Sequence, residues 1–237
     1  MARLTKQELK KDELGSQLGV GLDYFMHHRR PLLKWIGIGG GVVVVALAVM
    51  LFLRSRNQNA SEAFGKALDT YHATVTPMKA PENTGKWFAT EPERYEAAIK
   101  DFTTVSNEHS GTSAARWAKY YIALSQVGLA KYAEAEKQLQ ELSGEGDADF
   151  RSVAKMALAG TLQKQSKATD AEKILKELEQ NPTRAVPKVT AQMALADIYR
   201  TSNPGQAKTI YQEIEKEFPE SSLAEMASAR ILELPAQ

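Results

Sequence analysis

The hydrophobic residues of this chain fall into two patterns: one unbroken apolar run near the start, and helical periodicity over most of the rest. The run extends from Trp35 to Leu53 and holds no charged residue. As a helix, its nineteen residues would rise about 28 Å, close to the hydrocarbon thickness of a bilayer, with every backbone group satisfied internally. A buried hairpin helix is the alternative, but a helix of this length normally carries a polar face. The run therefore predicts a transmembrane helix over residues 32–54, with residues 35–53 in the lipid bilayer.

The residues that flank the run indicate an uncleaved anchor and its orientation. A secretory signal has a shorter apolar region, about 7–15 residues, and ends in a small-residue cleavage site. Here Arg54 and Arg56 follow the run almost at once. Basic residues in short flanking segments tend to stay in the cytoplasm, and seven of them precede the run: Arg3, Lys6, Lys10, Lys11, Arg29, Arg30 and Lys34. We therefore expect the N-terminus in the cytoplasm and the large C-terminal domain across the membrane.

On this topology residues 1–31 form a basic cytosolic tail. Leu4, Leu14, Leu18 and Leu22 fall near one helical face, with charges opposite, which favours an amphipathic helix on the membrane surface. Glycines in the same stretch oppose a stable helix, so a partly ordered tail is the alternative.

Within the run, Gly37 and Gly41 have the G-x-x-x-G spacing that lets two membrane helices approach closely. The run holds four glycines, so the match is also expected by chance. Helix pairing and a glycine-tolerant span without a partner therefore both stay open.

Beyond the span, an alanine-centred pattern recurs four times. It is centred on Ala98, Ala135, Ala171 and Ala207, at spacings of 37, 36 and 36 residues. An apolar residue follows each alanine at +4 and another at +7, and the positions 0, +4 and +7 share one helical face. These apolar residues are Phe102, Leu139, Leu175 and Tyr211, then Val105, Leu142, Leu178 and Ile214. The pattern predicts four equivalent helices whose alanine faces pack inward.

A second alanine-bearing helix precedes the last three of these. Its alanine is Ala123, Ala159 or Ala196, which lies twelve, twelve and eleven residues before the partner alanine, so one connecting loop should be shorter. The first repeat is degenerate. Its first helix is predicted from Ala60 to Val75, followed by a loop over residues 76–90 that holds prolines and a glycine.

These helix pairs resemble the tetratricopeptide repeat. The resemblance rests on Leu195-Ala196-Asp197-Ile198-Tyr199 in a first helix and on Lys131-Tyr132-Ala133-Glu134-Ala135 in a second. It implies an all-α fold, in which the transmembrane helix is followed by a right-handed superhelix of about nine helices. The repeat domain would occupy residues 55–237, with a capping helix over residues 221–232. An irregular bundle without a groove is the alternative.

The same resemblance implies where a partner would bind. In this family the first helices line a concave surface, and the inward positions flank their small residue. Methionine and aromatic side chains suit irregular apolar partners. On this chain the implied protein-binding groove consists of Trp117, Tyr120, Val127, Met156, Gln163, Lys164, Met193, Asp197 and Arg200, with Leu124, Val153 and Thr190 at further inward positions. The alternative is that Trp117, Leu124 and Val153 simply pack between helices.

Composition and motifs argue against several classes of function. The net charge of +1 gives no electrostatic case for nucleic acid. The chain has no cysteine, and its four histidines, His27, His28, His72 and His109, lack a second ligand at metal spacing. The sequence holds no phosphate-binding loop and no nucleophile elbow. We therefore expect no enzyme activity, no cofactor, no metal and no small-molecule substrate.

In layout, the chain resembles the YfgM-like family of single-span ancillary subunits of the bacterial Sec translocon over nearly its whole length. The resemblance lies in the short tail, the single span and the alanine-rich repeats that begin right after it. It implies a bacterial inner-membrane protein whose periplasmic domain meets translocon subunits, a periplasmic chaperone and unfolded client proteins. The alternative is a scaffold for another cell-envelope assembly, such as cell division or outer-membrane biogenesis.

Overall fold

The structure is a computed structural model that describes residues 41–77 and 85–235 of the 237-residue chain. The expectations for the tail over residues 1–31, for Gly37 and for residues 32–40 of the predicted transmembrane helix lie outside the described residues. Within those residues the chain is all-α except for one short strand pair. Its elements are α1 Gly41–Tyr71, β1 Thr74–Val75, β2 Trp87–Phe88, α2 Glu91–Glu108, α3 Ser113–Gly128, α4 Tyr132–Leu142, α5 Ala148–Lys164, α6 Ala168–Gln180, α7 Lys188–Ser202, α8 Pro204–Glu217 and α9 Ser222–Leu232.

Helix α1 is apolar at its start. Every residue from Val42 to Leu53 is exposed, and the helix is long and apolar enough to cross a membrane. Exposed valine and leucine side chains over several turns are what lipid contact requires. The chain divides into two units after this stretch, with the boundary between Arg56 and Asn57.

Helix α1 does not stop where the predicted span stops. It runs without a break to Tyr71, so the helix predicted from Ala60 to Val75 is the second half of α1 and ends four residues early. The residues that follow the span contain no proline or glycine before Gly65, and nothing in them ends a helix. Thr74–Val75 is instead a strand that pairs in parallel with Trp87–Phe88, inside the segment predicted to be a loop.

Arg94 of α2 closes the end of α1. Its guanidinium donates a hydrogen bond to the carbonyl oxygen of Tyr71, the last residue of α1. The same group lies 5.7 Å from the ring centre of Tyr71 and 4.6 Å from that of Tyr95. An unpaired carbonyl at a helix end is therefore satisfied by a cation that also stacks on two rings.

Helices α2 to α9 pack in sequence order, each chiefly against the helix before it and the helix after it. The seven aligned alanines of the repeats are at most 1% exposed. The eight apolar residues at +4 and +7 are also buried. The periodic pattern in the sequence therefore coincides with the core, and the alanines lie where neighbouring helices approach.

The loops within the helix pairs explain the uneven alanine spacing. Three residues join α3 to α4 and α5 to α6, and the middle ones, Ala130 and Ser166, adopt the left-handed region at φ 57° and 62°. Asn203 alone joins α7 to α8, where it ends the first helix and caps the second by accepting a hydrogen bond from the Gln206 amide. This one-residue loop is the shorter connection that the sequence predicted between Ala196 and Ala207.

Candidate protein-binding surface

The α3 end of the predicted groove is aromatic. Trp117 and Tyr120 meet edge to face with ring centres 5.4 Å apart. The Trp117 ring also packs on Phe150 of α5 at 4.9 Å. Burial raises the pKa of Tyr120 to about 12, so its hydroxyl stays neutral at physiological pH. Both groove residues stay partly accessible, so they pack between helices and also offer contact area to a partner.

The middle of the predicted groove is less covered. Met156 of α5 and Met193 of α7 pack against the central core while part of each side chain stays accessible. Such thioether side chains give adaptable apolar contact area. Of the other predicted residues, Val127, Leu124 and Val153 are half-buried, and Gln163, Lys164 and Thr190 are exposed.

The α7 end of the groove is occupied by contacts within the chain. The Asp197 carboxylate accepts a hydrogen bond from the buried Tyr211 hydroxyl at 2.8 Å and lies 3.6 Å from the Arg230 guanidinium. Arg200 donates to the carboxylate of Glu233, just past α9, at 2.7 Å. Burial and the hydrogen bond to Asp197 raise the pKa of Tyr211. Asp197 and Arg200 therefore attach α9, and a partner would have to share them with Arg230 and Glu233.

Gly160 also lies on the predicted surface. The sequence prediction did not include it, because glycine has no side chain that would indicate a contact. It follows Ala159 as Leu124 follows Ala123 and as Asp197 follows Ala196, so the repeat register could have found it. It is exposed, and a Cβ added to it would meet no atom within 4 Å. Gly160 therefore leaves an open position in the middle of the α5 face.

A separate cleft lies between α4, α5 and α6, on residues other than the predicted groove. Its volume is about 340 Å³, and Leu158, Leu162 and Ile174 give it an apolar lining. Glu136 at its rim accepts hydrogen bonds from Lys167 and Gln165, both at 2.7 Å, which hold the pKa of that carboxyl below its usual value. The rim carboxylate of this cleft is thus already paired within the chain.

Metal ligands do not gather in the part of the chain that the structure describes: no group of three or more His, Asp or Glu side chains there could hold an ion. His72 lines an open cleft beside Lys66, Asp69 and Lys86, all outside the predicted groove. The His27-His28 pair lies outside the described residues.

No known family model, curated protein or solved structure matches this chain significantly. Over the residues that it describes, the structure defines the class: an all-α protein apart from one short strand pair, with one helix long and apolar enough to span a membrane, followed by helices packed in sequence order.

Proposed function

We propose that the chain is a membrane-anchored protein-binding module, whose residues 55–237 form a right-handed superhelix of tetratricopeptide-like helix pairs. The observation that carries this proposal is the burial of the seven aligned alanines, at a spacing of about one repeat, in helices that pack on their sequence neighbours. Such stacking leaves the first helices of successive pairs, α3, α5 and α7, side by side as one extended surface. We refer to this surface as the α3–α5–α7 face.

The side chains of the α3–α5–α7 face favour a polypeptide ligand. Trp117, Tyr120, Met156 and Met193 are large, apolar or amphipathic, and only partly covered by the chain itself. Partner hot spots are rich in aromatic side chains, and methionine adapts to varied apolar shapes. A partner that covered these four residues would remove further apolar area from water.

The cellular role that fits best is that of an ancillary subunit of the bacterial Sec translocon. It would be a single-pass inner-membrane protein with its repeat domain in the periplasm, where it meets translocon subunits, a periplasmic chaperone and emerging envelope proteins. This assignment rests on the resemblance in layout and on the exposed apolar start of α1. The runner-up is a scaffold for cell division or outer-membrane biogenesis.

Site-specific photocrosslinking in cells tests both parts of the proposal. A photoreactive residue replaces Met156 or Met193 in the full chain, and Lys173, exposed on α6, provides the matched control. We expect the two methionine positions, and not Lys173, to crosslink to translocon subunits, the chaperone or exported clients. Crosslinks to a cell-division or outer-membrane assembly would transfer the role to the runner-up. Equal crosslinking at Lys173 would remove the α3–α5–α7 face as the binding surface.

Protease protection in sealed inner-membrane vesicles tests the topology. We expect a protease on the cytoplasmic side to leave residues 57–235 intact. Digestion of that domain from the cytoplasmic side would reverse the orientation and eliminate the periplasmic role.

A further inference from the structure

Charge is segregated between the two sets of helices in the repeat domain. The first helices of the pairs, α3, α5 and α7, carry seven basic residues against two acidic ones. The second helices, α4, α6 and α8, carry the opposite excess, ten acidic residues against five basic ones. The basic residues of the first set are Arg116, Lys119, Arg151, Lys155, Lys164, Lys188 and Arg200. The net charge of the whole chain, +1, conceals this separation.

Ion pairs engage Lys119 with Glu145, Lys155 with Glu177 and Arg200 with Glu233, and so cancel the excess on the first helices only in part. Their two acids are both engaged, since Asp149 pairs with Arg184 and Asp197 with Arg230. Lys164 and Lys188, in contrast, are exposed, and their side chains form no hydrogen bond or ion pair within residues 41–77 and 85–235. Uncompensated lysines with low-dielectric protein on one side attract anionic partners.

Gly160 adds a steric feature beside Lys164. Glycine inside a helix lowers stability relative to alanine. Packing among the described residues gives no reason for it, because a Cβ at Gly160 would meet none of their atoms within 4 Å. Gly128 shows the opposite case, since a Cβ there would lie 2.4 Å from the Tyr95 ring. The missing side chain at Gly160 leaves room between Met156 and Gln163, one turn to either side, for a group from outside.

We infer that the α3–α5–α7 face takes an acidic polypeptide segment, one of whose apolar side chains lies over Gly160. The inference rests on the proposed function, because it specifies the chemistry of the ligand at the same surface. Apolar contact comes from the aromatic and thioether residues, and the acidic residues of the segment complement the unpaired side chains of Lys164 and Lys188. A basic segment is disfavoured by the same charges, which gives the face a selectivity that apolar contact alone lacks.

Peptide binding to the full chain in phosphatidylcholine nanodiscs tests the inference. Two fluorescent peptides of equal length carry leucine and phenylalanine at identical positions, with glutamate at the other positions in one and lysine in the other. The variants are Gly160→Leu, which fills the open position, and Lys164→Glu, which reverses an unpaired charge. Lys173→Glu on α6 is the matched control for charge. The basic N-terminal tail is identical in every sample, so differences between variants report on the face.

We expect the wild type to bind the glutamate peptide at least about tenfold more tightly than the lysine peptide, with affinity that falls as salt rises. Gly160→Leu should lower the affinity for the glutamate peptide about tenfold, and Lys164→Glu should lower it about fivefold. Lys173→Glu should leave the affinity unchanged. Leucine is a better helix former than glycine, so circular dichroism should find Gly160→Leu fully folded.

Equal binding of both peptides would overturn the inferred charge preference and leave a protein-binding face in place. Unchanged affinity in Gly160→Leu would overturn the role of Gly160. Failure of the wild type to bind either peptide would count against the proposed function as well.

Discussion

The hydroxyl of Tyr211 donates a hydrogen bond to the Asp197 carboxylate at 2.8 Å, and this joins α8 to the exposed edge of α7. Tyr211 itself is completely buried. We expect Tyr211→Phe to lower the free energy of unfolding by about 1–2 kcal/mol, because the carboxylate loses its donor while the ring still fills the core. Urea unfolding of the full chain in detergent, followed by circular dichroism, measures the change. Tyr132→Phe is the control, and an equal loss there would show that the bond to Asp197 contributes nothing specific.

Alanine substitution at two glycines in first helices should change the free energy of unfolding in opposite directions. Gly128→Ala should destabilise the protein by about 1 kcal/mol, because the new methyl group would overlap the Tyr95 ring. Gly160→Ala should stabilise it by a similar amount, about 1 kcal/mol, because the methyl group enters open space in a helix. The same urea experiment measures both. If the clash is the cause, Gly128→Ala should cease to destabilise in a Tyr95→Ala background.

Glycine substitution at the left-handed residues of the three-residue loops should stabilise the protein. Ala130 and Ser166 adopt positive φ values that cost a residue with a Cβ about 1 kcal/mol. Ala130→Gly and Ser166→Gly should each raise the free energy of unfolding by about 0.5–1 kcal/mol. Ala133→Gly, three residues later and exposed within α4, should instead lower it by about 1 kcal/mol. Destabilisation at all three positions would contradict the loop conformation.

Stability should fall in acid, partly through Glu136. Hydrogen bonds from Lys167 and Gln165 lower the pKa of Glu136 in the folded state. A carboxyl with a lowered folded pKa adds stability above its unfolded pKa of about 4.3 and loses that stability as the pH falls through the folded value. Glu136→Gln should therefore reduce the protein's loss of stability below about pH 4 relative to the wild type. Urea midpoints from neutral to acidic pH measure this, with exposed Glu134→Gln as the control.

Helix α1 should enter the membrane through its exposed apolar residues. Val45→Arg places a charge in the middle of the apolar stretch and should cost about 2.5–3.5 kcal/mol of insertion free energy. Carbonate extraction of membranes should then release part of the mutant chain, whereas Ser55→Arg, at the end of the stretch, should stay fully bound. Full retention of Val45→Arg would indicate that residues 41–53 are not the anchor.

The core of the repeats could be predicted because alanine periodicity is a local signal. Ala98 and Ala135 are 37 residues apart in sequence, and both have no exposed surface in the structure. Each prediction of this kind needed only the spacing within one helix and its recurrence. The extent of α1 could not be predicted in the same way. The residues from Arg54 to Asn59 are polar, and polarity marks the end of a membrane span without marking the end of a helix.

The engagement of Asp197 and Arg200 could not be predicted either. Their partners Arg230 and Glu233 lie more than thirty residues along the chain and have no place in the repeat pattern. The positive φ of Ala130 and Ser166 also escapes sequence reasoning, because glycine is the usual residue at such positions. The face as a binding surface stays a prediction.

The one-residue loop at Asn203 limits how the connection between α7 and α8 can change length. A residue inserted there would have no loop to absorb it, and α8 would turn by about 100° about its own axis. The rotation would move the buried face of α8 out of the core, with Ala207, Tyr211 and Ile214. The three-residue joints after α3 and α5 have room to adjust by comparison. Natural insertions in chains of this design should accordingly accumulate between helix pairs, or within the α3–α4 and α5–α6 pairs, and be missing between α7 and α8.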